Sequence, residues 1–259
     1  MKLHNQRHEA NKDVATEGLR RIGQLQLDHT GSPVHARGCG AKLPMPPQYD
    51  RPFDKIQLLP ARLSEPLRWR KPRTVAVCFM GDWMHEDVPD EFVLRMYDVM
   101  LQARQHTYLM LTKRPERMRH LFSLSPAASH IWLGVTAENQ RMADERIPLL
   151  LDTPAAHRWA SLEPLLGPVD LEEWLPCGDP QCEEEMDFLD WVVVGGESGP
   201  GHRPLQHSWV YDIKDQCKAA GVAFWGKQDA GARPGIPLGG GLDVHELPWH
   251  AEPPQEEGI

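Results

Sequence analysis

The sequence predicts an α/β protein built on a partial (β/α) TIM-like barrel of about six or more parallel strands. Three observations predict it. Short, nearly uninterrupted apolar runs recur from Thr74 onward, too dry to have a wet face, as strands buried on both sides are. Segments with helical apolar spacing separate them, and such crossovers join parallel strands. Each run also stops abruptly at charged or hydrogen-bonding residues.

The first strand is expected at Thr74–Met80. Pro89 then opens a helix on which Phe92, Val93, Met96, Val99, Met100 and Ala103 share a face. Thr107–Leu111 is a second strand, and Pro115–Phe122 a short helix. Ile131–Thr136 is a third strand. Gln140–Leu151 is a third helix, which Pro148 is expected to kink or shorten. Arg158–Leu162 is a fourth strand, and Val169–Leu175 one or two helical turns. Trp191–Val194 is the fifth strand. His207–Ala220 is a helix stopped by Gly221, and Val222–Trp225 is the last strand.

Three segments follow from this pattern. Residues 1–60 are polar and irregular, with one helix expected around Asn11–Gln26 and Pro/Gly-dense chain after it. Residues 61–230 hold the β/α units. Residues 231–259 form a Gly/Pro-rich tail that ends acidic. Ala61–Arg73 is a basic stretch (Arg62, Arg68, Arg70, Lys71, Arg73) that reads as a solvated connector or a surface strap. Cys177–Glu185 reads as an inserted acidic loop.

Composition limits the function classes. The chain has 259 residues with a net charge of -9, so non-specific nucleic-acid binding is not the default, although a local basic patch is compatible with it. No apolar run approaches the roughly 20 residues of a membrane span, and the N-terminus carries no secretory signal. Five cysteines (Cys39, Cys78, Cys177, Cys182, Cys217) read as reduced thiols of a cytoplasmic protein. Cys177 and Cys182 are one pair without a second, so no closed zinc site is expected and no metal ligand is assigned.

In parallel β/α sheets, ligands bind beyond the carboxyl ends of the strands. Asp82 and His85 follow the first strand here, and Lys113 and Arg114 the second. Glu138 and Asn139 follow the third, and Glu163 the fourth. Gly195, Gly196, Glu197 and Ser198 follow the fifth, and Lys227 and Gln228 the sixth. Asp82, His85, Glu138 and Glu163 are the candidate acid/base residues. Lys113 and Arg114 suit an anionic group, although they also read as a helix-start pair bridged to Glu116. The Gly195–Gly199 turn lets backbone approach a ligand, or simply turns the chain; it is neither a Walker loop nor a dinucleotide fingerprint. Glu86 and Asp87 read as capping residues for the helix after Pro89.

Long segments carry a family resemblance. They are EPLRWRKPR at Glu65–Arg73, HEDVPDEF at His85–Phe92, HTYLMLTKRPERM at His106–Met118 and WLGVTAENQ at Trp132–Gln140. ADERIPLLL at Ala143–Leu151, SLEPLLGPVDL at Ser161–Leu171, DWVVVGGESGPGHRP at Asp190–Pro204 and DQCKAAGVAFWGKQ at Asp215–Gln228 complete them. Over about Leu63–Gln228 the chain resembles the phage gene-product 37/68 family, an uncharacterised phage and prophage family that looks radical-SAM-like. The resemblance implies a partial barrel, S-adenosylmethionine and a [4Fe–4S] cluster held by C-x3-C-x2-C. This chain has no such triplet. The Gly195–Glu197 turn follows a late strand and is not equivalent to the Gly-Gly-Glu turn of radical-SAM barrels.

Three functional expectations result. The first is a radical-SAM-like phage or prophage protein without the cluster motif, with a ligand site at the strands' C-terminal rim. The second is an enzyme on a nucleotide-like or other anionic substrate, with or without a divalent metal. It requires Asp82, Glu138, Glu163 and Glu197 to cluster, at least one with a raised pKa. The third is a protein that binds nucleic acid or another partner through the basic 62–73 segment. A membrane partner is not expected, and the oligomeric state is left open.

Overall fold

A computed structural model describes residues 56–78, 81–123, 125–177 and 187–248. The expected helix at Asn11–Gln26 lies outside them, as do Cys39 and Cys182. Six strands alternate with helices and short crossovers. They are β1 (Thr74–Val77), β2 (Thr107–Thr112), β3 (Ile131–Thr136), β4 (Arg158–Leu162), β5 (Trp191–Gly195) and β6 (Ala223–Gln228). The helices are α1 (Asp90–Gln102), α2 (Pro115–Phe122), α3 (Gln140–Leu151) and α4 (His207–Ala220). The strands form one curled half-barrel sheet in the order β1-β2-β3-β4-β5-β6, with every neighbouring pair parallel. The strand order follows the chain, each crossover placing the next strand beside the last.

The two sheet faces differ in their packing. Tyr108, Met110, Leu133, Val135, Ala160, Leu162, Val192, Val194 and Phe224 join the core with helix residues such as Met96, Met118, Ile147 and Ile213. The alternate residues Leu109, Trp132, Trp159, Trp191, Val193 and Trp225 form a second cluster with Leu247 on the opposite, inner face. This is the period-two alternation of a strand, with both sides dry. Trp159 lies on Gly134, where a Cβ would meet its indole. Further along the inner face the side chains shrink to Gly134 and Ser161, and beyond them come the charged groups of the mouth.

Most expected elements stand where the pattern placed them, β2 and β5 one residue longer and β6 starting one residue later; the larger differences lie elsewhere. β1 ends at Val77 rather than Met80, because Cys78 takes φ 56°, outside the strand region. It is also only half-buried, being an edge strand paired on one side. Pro148 does not shorten α3: the helix runs on to Leu151, and the Pro148 carbonyl accepts from Asp152 N–H. Val169–Leu175 holds a single helical turn, as expected, in 3-10 form at Glu172–Trp174. β6 runs to Gln228, three residues past Trp225. The Gly221 stop is as expected, with φ 69° accepting the left-handed cap.

Candidate functional site

Since the six strands are parallel, their carboxyl ends share one rim. The structure brings the expected residues to that rim but pairs them in ways that the sequence did not indicate. Asp82, after β1, is mostly buried. Its Oδ1 accepts from Thr112 Oγ1 at 2.7 Å and Met84 N–H at 3.0 Å, and its Oδ2 from Lys113 N–H at 3.0 Å and Arg114 Nη1 at 2.8 Å. Burial pushes this carboxyl up, but the four hydrogen bonds together outweigh burial and hold it below the ordinary carboxylate range. Lys113 and Arg114 therefore do not bridge to Glu116. Arg114 pairs with Asp82, and Lys113 Nζ pairs with Glu138 after β3.

Glu138 also accepts from Arg146 Nη1 at 3.0 Å, and the same guanidinium nitrogen donates to the Thr136 carbonyl at 2.6 Å. Burial raises the Glu138 pKa, but the Lys113 hydrogen bond and both neighbouring cations lower it further, and the net shift is downward. Arg146 lies outside the residues that directly follow the strands. Its place eight residues beyond Glu138, on the helix that follows the same strand, is the signal that points to it.

Glu163, after β4, anchors a third pair. Lys227 Nζ donates to Oε2 at 2.6 Å and Gln228 Nε2 to Oε1 at 3.1 Å. Consecutive strand residues normally face opposite ways. Both reach one carboxylate here because the β5–β6 register slips between Val194 and Gly195, a bulge that pairs Gly195 with Gln228 and leaves Lys227 as the extra residue. Gly195 gives the Glu163 side chain its room, since a Cβ there would press on its carboxyl group. Gly196 lies against the Ala230 backbone, where a Cβ would collide with the amide. These glycines thus serve close packing at the rim.

Glu197 takes a two-pronged grip from Arg203, with Nε to Oε2 at 2.8 Å and Nη2 to Oε1 at 3.1 Å, and the Arg203 N–H adds a third bond at 2.8 Å. The Arg203 hydrogen bond lowers the Glu197 pKa. Ser198 Oγ is buried without a hydrogen-bond partner among the described residues.

Two candidates have local structural duties. Asn139 caps α3, its Oδ1 accepting from Met142 N–H at 3.2 Å. His85 accepts from Asp87 N–H at 3.1 Å through Nδ1, holding its own loop. Glu86 and Asp87 do not cap α1, whose N-cap is Pro89 without a side-chain bond; Asp90 and Glu91 occupy its first turn. Arg117 on α2 braces that loop by donating to the His85 and Val88 carbonyls and to Asp90.

The carboxylates Asp82, Glu138, Glu163 and Glu197 therefore do not form one acidic cluster; each has its own cation. Asp82, Glu138 and Glu197 are all shifted down, opposite to the raised pKa expected of a general acid. Among the described residues no group of three or more His, Cys, Asp or Glu is placed to hold a metal ion. What the rim offers is fixed charge: carboxylates mostly buried, with Lys113, Arg114 and Arg203 more exposed above them.

Among the described residues no helix is long and apolar enough to cross a membrane. No curated protein and no solved structure matches the chain. A family model described as a protein of unknown function (DUF5131) matches residues 33–235. That match covers most of the chain, including all six strands and the whole rim, and the chain belongs to this family.

Proposed function

We propose that this is a radical-SAM-like protein of phage or prophage type whose half-barrel binds a small, polar, zwitterionic ligand at its C-terminal rim. One observation carries the reading: the paired charges Asp82–Arg114, Glu138–Lys113, Glu163–Lys227 and Glu197–Arg203 stand at successive strand ends. A ligand bearing both an ammonium and a carboxylate exchanges with such pairs without leaving a buried charge unmatched. The amino-acid end of S-adenosylmethionine has this chemistry. A cytoplasmic location belongs to the same reading, with its odd number of cysteines.

The described residues do not fit a [4Fe–4S] cluster. Its ligands must be thiolates that converge. Cys217 is buried on α4, and burial pushes its thiol up to about 12. Cys78, just after β1, is exposed and stands apart from Cys217. Neither these nor Cys177 belongs to a group of potential ligands.

Titration calorimetry of the full chain with S-adenosylmethionine, S-adenosylhomocysteine and ATP tests the reading. Saturable binding of the first two is expected, weakened about tenfold or more by Lys227→Met, equivalent to about 1.4 kcal/mol. Absence of binding, or affinity unchanged in Lys227→Met, overturns it. Binding of ATP alone transfers the rim to a nucleotide-like anionic substrate and likewise overturns the zwitterion.

A further inference from the structure

We infer that the basic strap leading into β1 is a docking surface for the phosphodiester backbone of a nucleic acid. The strap is built rather than merely connected. Two 3-10 turns, Pro60–Arg62 and Pro66–Arg68, lead into an extended stretch that enters β1. His106, 1% exposed, fastens it. The His106 Nδ1 accepts from Arg73 N–H at 3.1 Å, which leaves Nε2 to carry the proton and donate to the Pro66 carbonyl at 3.1 Å. Gln105 Nε2 holds the Trp69 carbonyl, and Thr107 N–H donates to the Arg73 carbonyl at 2.9 Å. The Arg73 guanidinium lies 4.8 Å from the centre of the Trp69 ring, and that ring meets His106 edge-on.

The charge on this strap is largely unpaired. Arg68, Arg70, Lys71 and Arg73 are exposed, as is Arg104 beside Gln105. None of these five forms an ion pair among the described residues, whereas the neighbouring Arg62 is paired with Glu65. Five exposed cations without an ion pair among the described residues, of which only Arg68 acts on a carboxylate (Glu65), make a local field opposite in sign to the net charge of -9. Four of the five are arginines, whose planar fork suits phosphate oxygens. Arg73 occupies a face of Trp69, so the strap presents cations rather than an open stacking platform for bases. It reads backbone, not sequence. An acidic peptide needs an apolar seat as well, and the strap's one strongly exposed apolar side chain is Leu67. The surface lies at the amino ends of β1 and β2, the opposite end of the sheet from the rim, and does not depend on what the rim binds.

Fluorescence anisotropy of the full chain tests this, using labelled 20-nucleotide single-stranded DNA, duplex DNA, single-stranded RNA and poly-glutamate between 50 and 200 mM salt. Expected is binding to at least one nucleic acid at least tenfold tighter than to poly-glutamate, the tightest naming the source. The slope of log K against log salt should be about -3 to -5, as four or five phosphate contacts give. Arg70→Ala, Lys71→Ala and Arg104→Ala should each make that slope shallower by about one, while Arg141→Ala, on α3, leaves it unchanged. All four sites are exposed, and thermal melts check that the variants fold. No nucleic-acid binding at 50 mM salt, equal affinity for poly-glutamate, or a slope indifferent to all three strap variants overturns the inference.

Discussion

The two ends of the sheet treat charge in opposite ways. At the carboxyl end, Arg114, Lys113, Arg146, Lys227 and Arg203 each hold a carboxylate that a strand end delivers. At the amino end of β1, Arg68, Arg70, Lys71, Arg73 and Arg104 hold none among the described residues. The difference follows from burial. At the rim the carboxylates Asp82, Glu138 and Glu163 are largely buried, so leaving one of these sites unmatched costs several kcal/mol. A strap on the surface keeps its cations in water, where leaving them unmatched costs little and sets up a field. Paired charges suit a compact ligand of mixed sign. Unpaired charges of one sign suit a long anion.

The contrast can be tested by removing one member from each end. The largest effect is expected for Glu163→Ala. Its side chain is 13% exposed and Lys227 is 19% exposed, so the substitution strands a nearly buried ammonium and the Gln228 amide. Urea unfolding should show a loss of about 3 kcal/mol or more. A loss below about 1 kcal/mol would mean that water reaches the rim freely, and the two ends would then not differ in kind.

Next comes Asp82→Asn, which turns an acceptor of four hydrogen bonds into a group with its own donor facing Lys113 N–H and Arg114. A loss of about 1–3 kcal/mol is expected. Its pH dependence sharpens the point. The folded pKa values of Asp82 and Glu138 lie below their unfolded values of about 3.9 and 4.3. The stability they contribute is therefore fully present above those unfolded values and is lost as pH falls through the lower folded ones. Unfolding curves taken from pH 6 down to pH 2.5 should fall less steeply in Asp82→Asn than in the parent chain. Identical acid limbs would show that Asp82 is not held ionised by its partners.

Glu197→Ala should do less to stability. Arg203 is more than half exposed, so the change in unfolding free energy should stay within about 1 kcal/mol. The release of Arg203 should still weaken S-adenosylmethionine binding measurably in calorimetry, and unchanged affinity would remove Glu197 from the site. The smallest effect is expected at the strap, where Arg70→Ala should alter urea unfolding by no more than about 0.5 kcal/mol. A larger loss would reveal a partner for Arg70 and undo the contrast from the other side.

Much of the scaffold was legible because it rests on local pattern. Ile131–Thr136, Arg158–Leu162, Gln140–Leu151 and His207–Ala220 have the boundaries that periodicity, Pro and Gly signals indicate. Where local pattern and three-dimensional context compete, the expectation slipped. Cys78 turns out of the β1 run, Pro148 rides inside α3, and β6 continues through polar Lys227 and Gln228 because they line the rim. The inner tryptophan layer is visible as a period-two signal: Trp132, Gly134 and Thr136 on β3 are followed in kind by Trp159 and Ser161 on β4 and Glu163 just beyond it.

The sequence by itself determined the β/α order, the dryness of the strands and which residue types end each one, since these are properties of short stretches of chain. Only the tertiary structure decided the partners. Arg114 with Asp82, Lys113 and Arg146 with Glu138, and the bulge that turns both Lys227 and Gln228 to Glu163 depend on register and sheet curl. The same is true of the strap: its charges are written in the chain, but the buried His106 that fixes them lies some thirty residues onward. Pairing of charges is a contact between distant segments, and its energy depends on how much water the assembled sheet excludes.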